Sequence, residues 1–399
     1  MEKVLSVTGI FVFLLIAFAL SSNRKAIPWK TVLISLLLQF LTALFMLKTS
    51  VGIKLFEIFN RIFLAFLSYS DKGAEFLFGK LVHDTNIGAI VAFKVLPVII
   101  FVSSFMAVLA YLRIIEYTIK ILAHIFYRTM GISGAEAFAS SLFIFMGIET
   151  ITGLKEYIEE MTDSEIFLVM TAFLATIAGS VMATYVSFGA SAGHLMAASL
   201  MSAPAAVALS KIMVPETETP KTAYDIKSVK YKRHRGNLVS AAANGASDGL
   251  ALSLQIAAML IAFVAMIYMV DSWLKPTGIT LEKLLGWTFS PFAVLMGIPP
   301  KEAVDVGVLL GTKTVFNEFL AYLQLHSHIV NHTLSQRAIV ISSYALCGFA
   351  NFGSIAIMIG GIGTLAPSKK EFVTRLSIKA LIAGTLASFM TASFASILL

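Results

Sequence analysis

The stretch that decides the fold is GIPPKEAVDVGVLLGTKTVFNEF, which runs from Gly297 to Phe319. Most of it is small or apolar, yet it ends with an amide and a carboxylate side by side at Asn317 and Glu318. A charged side chain in the hydrocarbon of a membrane costs at least about 2.5 kcal/mol on insertion scales, so an acid in such a segment is functional by default. The stretch therefore points to a polar site inside a membrane domain.

The composition of the whole chain agrees with a membrane location. Of the 399 residues, 58% are hydrophobic and 13% are charged, whereas soluble domains carry about 25% charged residues. Cys347 is the only cysteine, which excludes an intrachain disulfide and a cysteine metal cluster. The net charge of +7 comes from basic residues in short loops, which set orientation in a lipid bilayer and do not indicate nucleic-acid binding.

Eight apolar runs approach or exceed the roughly 20 residues that a spanning helix needs. They lie near 4–20, 30–47, 93–114, 163–188, 192–214, 250–270, 338–364 and 372–397. Basic residues cluster after the first, fifth and seventh runs. Placing all three clusters in the cytoplasm is consistent with eight crossings and both termini outside.

Two further segments, 52–70 and 115–130, scatter charges among large apolar residues at roughly helical spacing. This pattern predicts amphipathic helices that lie in the membrane interface. For the first segment, the alternative is a short buried connector.

An earlier stretch repeats the pattern of the first. GISGAEAFASSLFIFMGIETITG, which starts at Gly131, opens G-I-x-x-x-E-A exactly as the stretch from Gly297 does. Both then run through small and apolar residues to a lone carboxylate, Glu149 in the first copy and Glu318 in the second. Shared features in the same order indicate an internal repeat.

Each copy is followed by an apolar run that is broken near its middle, at ATIAGSV (175–181) and at FANFGSI (349–355). Irregular backbone survives at membrane depth only inside protein or beside a water-filled cavity. By the crossing count, the two copies enter the membrane from opposite sides. Inverted repeats with interrupted segments are typical of secondary transporters. The segments that carry Glu149 and Glu318 are therefore predicted to be re-entrant hairpins.

The second copy and its broken run supply candidate binding residues. On a helix, Gly311, Thr314, Glu318 and Tyr322 would share one stripe, with Asn317 beside it. The structural alternative is an ion pair between Glu318 and Lys313, with Asn317 capping the hairpin tip.

The broken run CGFANFGS places Asn351 and Ser354 at i, i+3, and Phe349 two residues before Asn351. An aromatic face with an amide and a hydroxyl suits a ligand made of a ring and a sugar. The alternative is a glycine motif for helix packing, with Phe349 in the core.

The chain resembles the concentrative nucleoside transporters over most of its length after about residue 90, most closely over 160–220 and 300–399. The stretches that carry the resemblance are GTKTVFNEFLAY, SYALCGFANFGSIAIMIGGIGTLAPS, LMAASLMSAPAAVALSKIMVPETE and KALIAGTLASFMTASFASILL. The resemblance implies an all-α polytopic membrane protein with eight transmembrane helices and two opposed re-entrant hairpins. It also implies a homotrimer in the cytoplasmic membrane that takes up nucleosides by cation-coupled, alternating-access symport and is not an enzyme.

The resemblance also assigns residues. Glu318 would accept hydrogen bonds from ribose hydroxyls, Asn351 and Ser354 would complete the ribose contacts, and Phe349 would pack on the ligand. Glu149 would be the matching carboxylate of the first hairpin. The full set of substrate-binding candidates is Glu149, Glu318, Asn351, Ser354, Phe349, Gly147, Ile148 and Asn317.

The first hairpin departs from the family pattern. Where the family usually has Gly-Gln-Thr-Glu, this chain reads Met146, Gly147, Ile148 and Glu149. The usual Gln and Thr, which read the base, are replaced by Gly147 and Ile148. The base end of the site is therefore expected to be more apolar, and base preference does not carry over.

The sequence predicts no cofactor. The resemblance implies a coupling cation, which is either sodium or a proton. An Asn that sodium-coupled relatives place in the first hairpin is Leu142 here. The resemblance leaves Phe145, Thr176 and Ile177 as candidate ligands for the cation. Because sodium needs several hard oxygen ligands, proton coupling through a buried carboxylate is an equal alternative.

The organisation follows from the repeat. Residues 1–130 and 215–296 are predicted to be scaffold, and 131–214 and 297–399 to be the first and second transport repeats. Alternative functions are transport of a nucleobase or another polar ring metabolite, a channel, and a membrane-embedded enzyme that uses Glu149 and Glu318. The sequence has no H-E-x-x-H motif in support of the enzyme.

Overall fold

The computed structural model of the protein describes residues 2–82, 91–147, 154–222 and 237–399, in which the regular elements are helices. Short 3-10 turns and one π-helical turn, 91–95, join some of them. The α-helices are α1 (Glu2–Ala19), α2 (Trp29–Lys48), α3 (Ser50–Phe78), α4 (Leu96–Tyr111), α5 (Ile114–Met130), α6 (Gly134–Leu142), α7 (Lys155–Ile158), α8 (Asp163–Ala175), α9 (Gly179–Ser187), α10 (Ala192–Met213), α11 (Leu238–Leu274), α12 (Leu281–Leu295), α13 (Ala303–Val315), α14 (Glu318–Val330), α15 (Gln336–Leu346), α16 (Phe352–Leu365) and α17 (Lys370–Leu398).

The predicted all-α membrane architecture is confirmed. Six helical units of the described chain are long and apolar enough to cross a bilayer, namely α1, α2, α8 with α9, α10, α11, and α17 with the turn before it. A seventh arises if α4 and α5, which meet at an angle of 72°, count as one bent span. The remaining predicted run, 338–364, is divided into α15 and α16, each shorter than a full span.

The helices differ sharply in burial. Helices α8 and α10 and most of α17 are enclosed by protein, whereas α1, α2 and above all α11 expose most of their apolar surface. The large exposed side chains of α11 include Ile261, Tyr268 and Trp273. The centre of the protomer is thus made by α8, α10 and α17, and α11 lies at its periphery.

Both segments predicted to be amphipathic are helices. Helix α3 is longer than the predicted 52–70 and buries few residues. It is attached to the start of α10, where Asn60 Oδ1 accepts hydrogen bonds from Gly193 N at 3.0 Å and Ser191 Oγ at 3.2 Å. The side chain of Phe56 leaves no room for a Cβ at Gly193. Helix α5 buries one face, formed by Ile115, Ile119, Ala123, Phe126 and Met130.

The region 215–296 departs from the prediction of a loop and one span. Helix α11 begins at Leu238, well before the apolar run at 250–270. Small residues fill its first turns, and Asn237 Oδ1 caps the helix by accepting a hydrogen bond from Ser240 N at 2.8 Å. Helix α12 was not predicted, since fifteen residues are too few for a span. It precedes the second hairpin as α5 precedes the first.

The second hairpin is re-entrant, as predicted. Helix α13 ends at Val315, the chain turns at Phe316 and Asn317, and α14 begins at Glu318. The two ends of the hairpin meet, because Ser335 Oγ donates to Glu302 Oε2 at 2.8 Å. The segment therefore returns to the side from which it entered.

The predicted stripe of Gly311, Thr314, Glu318 and Tyr322 is wrong, because the break at Asn317 separates its two halves. Gly311 packs against Leu285 of α12, where an added Cβ would lie 2.6 Å from the Leu285 Cβ. Glu318 is on the other arm of the hairpin.

The first hairpin is closed at its base by Lys211 of α10. Lys211 Nζ lies 2.5 Å from Glu136 Oε1 at the start of α6 and donates to Ser164 Oγ at the start of α8 at 3.0 Å. Glu136 also completes a capping box with Ser133. Entry and exit of this segment are thus adjacent too, while residues 148–153 lie outside the described residues.

The predicted repeat is visible in the backbone. Gly131 and Gly297, which open the two copies, both have positive φ, 66° and 85°, at the ends of α5 and α12. Such a conformation favours glycine because a Cβ is strained there. At Gly297 a Cβ would also lie 2.2 Å from Ser6 Oγ.

Candidate functional site

The two predicted breaks lie side by side in the core. Helix α8 stops before Thr176 and α9 resumes at Gly179, while Phe349 lies in the gap between α15 and α16. Phe349 N donates to Thr176 O at 3.1 Å, and Gly179 N donates to Phe145 O of the first hairpin at 2.9 Å. The free backbone groups of two broken helices and one hairpin therefore pair with one another, as membrane-buried backbone must.

Glu318 and Asn351 meet at this place. Asn351 Nδ2 donates to Glu318 Oε2 at 2.7 Å, and Tyr185 OH donates to Glu318 Oε1 at 2.9 Å. Glu318 is 6% exposed and Asn351 is 2% exposed. A buried carboxylate is tolerated when its oxygens have hydrogen-bond donors. The structure thus brings together the acid of the second hairpin and the amide of the broken helix, as the sequence predicted.

Both asparagines of the site are also helix caps. Asn317 Oδ1 accepts from Leu320 N at 2.8 Å and starts α14, and Asn351 Oδ1 accepts from Ser354 N at 2.7 Å and starts α16. The capping role considered as the alternative for Asn317 is therefore present. The N-termini of both helices carry a partial positive charge, which favours the carboxylate of Glu318.

Lys313 and Glu318 both lie in the described part of the chain, and they form no ion pair there. The Lys313 ammonium is fully buried and donates to Ala345 O at 2.8 Å and to Ser388 Oγ at 3.2 Å. Lys313 thus ties α13 to α15 and α17, and the alternative of a direct ion pair with Glu318 is wrong.

Two tyrosines lie behind Glu318, of which Tyr322 was placed on the predicted stripe and Tyr185 was missed in the sequence. Tyr185 and Tyr322 stack with ring centroids 4.1 Å apart and planes at 15°. Tyr322 OH donates to Ser343 O at 2.7 Å, and both rings are buried. A buried tyrosine needs a partner for its hydroxyl, but nothing in the spacing of residues 185 and 318 indicates which partner it is.

An aromatic row leads from the first hairpin to the site. Phe143 lies 5.7 Å from Phe173, which lies 5.6 Å from Phe349, centroid to centroid. Phe349 is only half-buried. Ser354 is buried one turn beyond Asn351, so the three predicted residues of the broken helix cluster at its start.

The first hairpin is described only in part. Gly147 is buried at the end of the described segment, while Ile148 and Glu149 lie outside the described residues.

The candidate cation ligands are engaged with protein. Thr176 Oγ1 donates to Ala172 O at 2.8 Å, and the carbonyls of Thr176 and Phe145 each accept a backbone N–H. Ile177 and Leu142 are fully buried and have apolar side chains. Among these residues, a cation would find second lone pairs on carbonyls and the lone pairs of Thr176 Oγ1, whose proton is donated to Ala172 O.

Three family models together match most of the chain. They are described as the Na+ dependent nucleoside transporter N-terminus (8–81), nucleoside recognition (92–192) and the Na+ dependent nucleoside transporter C-terminus (194–396). The chain belongs to the Na+-dependent nucleoside transporter family. This is a family of membrane transporters and not of enzymes, so the resemblance stated from the motifs is confirmed.

Several relatives match this chain over all or nearly all of its length. Solute carrier family 28 member 3 of Mus musculus is 38% identical over 418 residues, which cover 100% of this chain and 59% of the relative. The chain thus spans about three fifths of the length of that protein. Nucleoside permease NupC of Helicobacter pylori is 36% identical, with 99% of this chain and 98% of the permease covered. Among solved structures, CNTnw in an inward-facing substrate-bound state superposes with a TM-score of 0.92 at 36% identity, covering 100% of this chain and 98% of CNTnw.

Proposed function

We propose that this protein takes nucleosides into the cell by cation-coupled symport with alternating access. The observation that carries the proposal is the buried pair of Glu318 and Asn351, contributed by a re-entrant hairpin and a broken helix. Such elements bind ligands in secondary transporters because their helix ends leave polar backbone groups at membrane depth. A carboxylate and an amide are also the groups that best match a pair of sugar hydroxyls.

The residues around this pair fit a ribose at one end and a ring at the other. Ser354 adds a hydroxyl beside Asn351, and the half-buried Phe349 offers an aromatic face. We assign the ring end to the first hairpin, with Gly147, Ile148 and Glu149. Two of these residues carry no side-chain donor, so we expect the protein to accept several bases.

We infer that the coupling cation is a proton, although the family description names sodium. The support is that, of the four positions considered for the cation, only Thr176 has a side-chain oxygen, while sodium requires several oxygen ligands. A buried carboxylate such as Glu318 can carry a proton instead. Proteoliposome uptake under separate sodium and pH gradients tests this, because uptake driven by sodium alone at equal pH contradicts it.

We propose that residues 131–214 and 297–399 move together as the transport part, against a scaffold made of 1–130 and 215–296. The enclosed helices α8, α10 and α17 belong to the first group and the exposed α11 to the second. The exposed apolar face of α11 supports a homotrimer built through the scaffold in the cytoplasmic membrane. Cross-linking of purified protein in lipid should give trimers, and a monomer would contradict this assembly.

The central test is Glu318→Gln. The substitution keeps the size of the side chain but removes the charge that we assign to the sugar, so uptake of labelled uridine and adenosine should be abolished while the oligomer persists on size exclusion. Glu282→Gln, at an exposed carboxylate of α12, is the matched control and should transport normally. Normal uptake by Glu318→Gln would remove the assignment of the site.

A second substrate class is favoured by one observation. The small Gly147 and the apolar Ile148 replace groups that usually read the base, so a nucleobase or another polar ring metabolite is the alternative. Competition of labelled uridine uptake by a panel of nucleosides, free bases and ring metabolites separates the two, since inhibition by free bases alone supports the alternative.

A further inference from the structure

We propose that Tyr185 is a positioning residue that fixes the orientation of the Glu318 carboxylate toward the substrate. The inference rests on the proposed function, because it assumes that Glu318 binds the sugar. It concerns a residue of the first repeat that acts on the binding residue of the second.

The carboxylate of Glu318 is held differently at its two oxygens. Oε1 accepts the hydroxyl of Tyr185 at 2.9 Å, and Oε2 accepts Nδ2 of Asn351 at 2.7 Å. Tyr185 has no exposed surface, so Oε1 is directed into the protein. Asn351 is itself a predicted sugar ligand, so Oε2 is the oxygen on the substrate side.

Tyr185 is held rigidly enough to act in this way. Its ring stacks on Tyr322 at 4.1 Å, and the Tyr322 hydroxyl is tied to Ser343 O. Phe319 approaches the edge of Tyr185, with centroids 6.4 Å apart. Among the described residues, the acceptor of the Tyr185 hydroxyl is the carboxylate of Glu318. A hydrogen bond to a charged group is among the stronger kinds.

The consequence is a carboxylate of fixed orientation, with Oε2 directed to the sugar and able to accept a second hydrogen bond beside the one from Asn351. If the bond from Tyr185 were removed, the carboxylate could turn about its Cγ–Cδ bond, and its alignment with Asn351 would be lost. A substrate that donates a hydroxyl to Oε2 would then bind more weakly, whereas a substrate without that hydroxyl would lose little. Tyr185 thus acts on sugar discrimination through Glu318, without touching the substrate itself.

The test is Tyr185→Phe, which keeps the ring stack and removes the hydroxyl. We expect KM for uridine to rise about tenfold with Vmax within about twofold, as for loss of one hydrogen bond to a charged group. KM for 3′-deoxyuridine or 2′-deoxyuridine, whichever the unmodified protein binds more weakly than uridine, should rise by less than about twofold. The preference for the ribonucleoside should therefore collapse.

Tyr344→Phe is the matched control. Tyr344 is also a fully buried tyrosine, and its hydroxyl bonds His194 at 3.1 Å, away from Glu318. This variant should keep the preference for uridine. A purely structural role for Tyr185 would instead lower Vmax and change the KM values of both nucleosides alike.

A double-mutant cycle with Glu318→Asp gives a second, independent measurement of the coupling between Tyr185 and Glu318. The shorter Asp cannot reach Tyr185 and Asn351 together, so the double variant should have the KM of Glu318→Asp. Additive KM changes would overturn the inference. If Glu318→Gln is inactive but Tyr185→Phe keeps the normal preference, only the role of Tyr185 fails. If Glu318→Gln transports normally, the proposed function fails first.

Discussion

The two repeats break their membrane helices in the same place but satisfy the breaks differently. In the first, Ala178 precedes α9 without a side-chain cap, and the next N–H, that of Gly179, is paired with Phe145 O. In the second, the side chain of Asn351 caps α16 and its amide nitrogen holds Glu318. The first break is closed without a side-chain cap, whereas the cap of the second break also places an amide beside Glu318, at the site that we propose for the sugar.

The bases of the two hairpins differ in the opposite sense. The first base is a buried ion pair between Glu136 and Lys211, whereas the second is an exposed hydrogen bond between Glu302 and Ser335. The first repeat thus buries a charged pair at the foot of its hairpin, and the second buries a carboxylate, Glu318, at the turn of its hairpin.

The largest expected effect is on the stability of the folded protein, when the buried ion pair at the foot of the first hairpin is broken. Glu136→Gln leaves the buried Lys211 with Glu216, at 3.9 Å, as its remaining carboxylate, and removing one partner of a buried ion pair typically costs about 3–5 kcal/mol. The thermal midpoint of the purified protein should fall clearly. Glu116→Gln, at the partly exposed pair with Lys120, is the control and should change stability by less than about 1 kcal/mol. Equal shifts would show that the foot of the first hairpin is not a special site.

Asn351→Ala should have the next largest effect and should act on uptake. It removes both a helix cap and the donor to Glu318, and loss of a hydrogen bond to a charged group costs about 1.5–3 kcal/mol. Uptake efficiency should fall by about 10–100-fold in proteoliposomes. The matched variant Asn237→Ala, which removes the cap of α11 only, should transport at the normal rate. A similar loss in both variants would assign the effect to capping alone.

Asn317→Ala is expected to act mainly on the hairpin tip. The lost cap of α14 should cost about 1 kcal/mol of stability, and Asn317→Ser should restore most of it, because serine is also a good cap. Melting of the two variants in detergent measures this. If serine fails to restore stability, Asn317 has a role other than the cap.

The smallest effect is expected where the first break is given the cap that it lacks. Ala178→Ser should stabilise the protein by no more than about 0.5 kcal/mol, below a usual cap, because the N–H groups of Gly179 and Val181 already have backbone partners. Stabilisation by a full cap in the same melting assay would mean that the first break was left unsatisfied, and the contrast between the repeats would be lost.

The elements of the site could be predicted because their signals are local. Glycines at the breaks and a lone carboxylate in an apolar stretch mark broken helices and hairpins wherever they pack. The stripe through Gly311 and Glu318 failed because a capping residue, Asn317, ends one helix and starts another. Tyr185 and Lys211 could not be assigned, since their partners come from segments 133 and 75 positions away, and a single sequence carries no record of such contacts.

The hydrogen bond from Phe349 N to Thr176 O links the two repeats through main-chain atoms only. Proline at position 349 would remove this bond because it has no N–H, whereas a scan by alanine substitution would leave the bond in place and give no signal. The proposed binding site is thus joined across the two repeats by backbone, and we expect its parts to move together during transport.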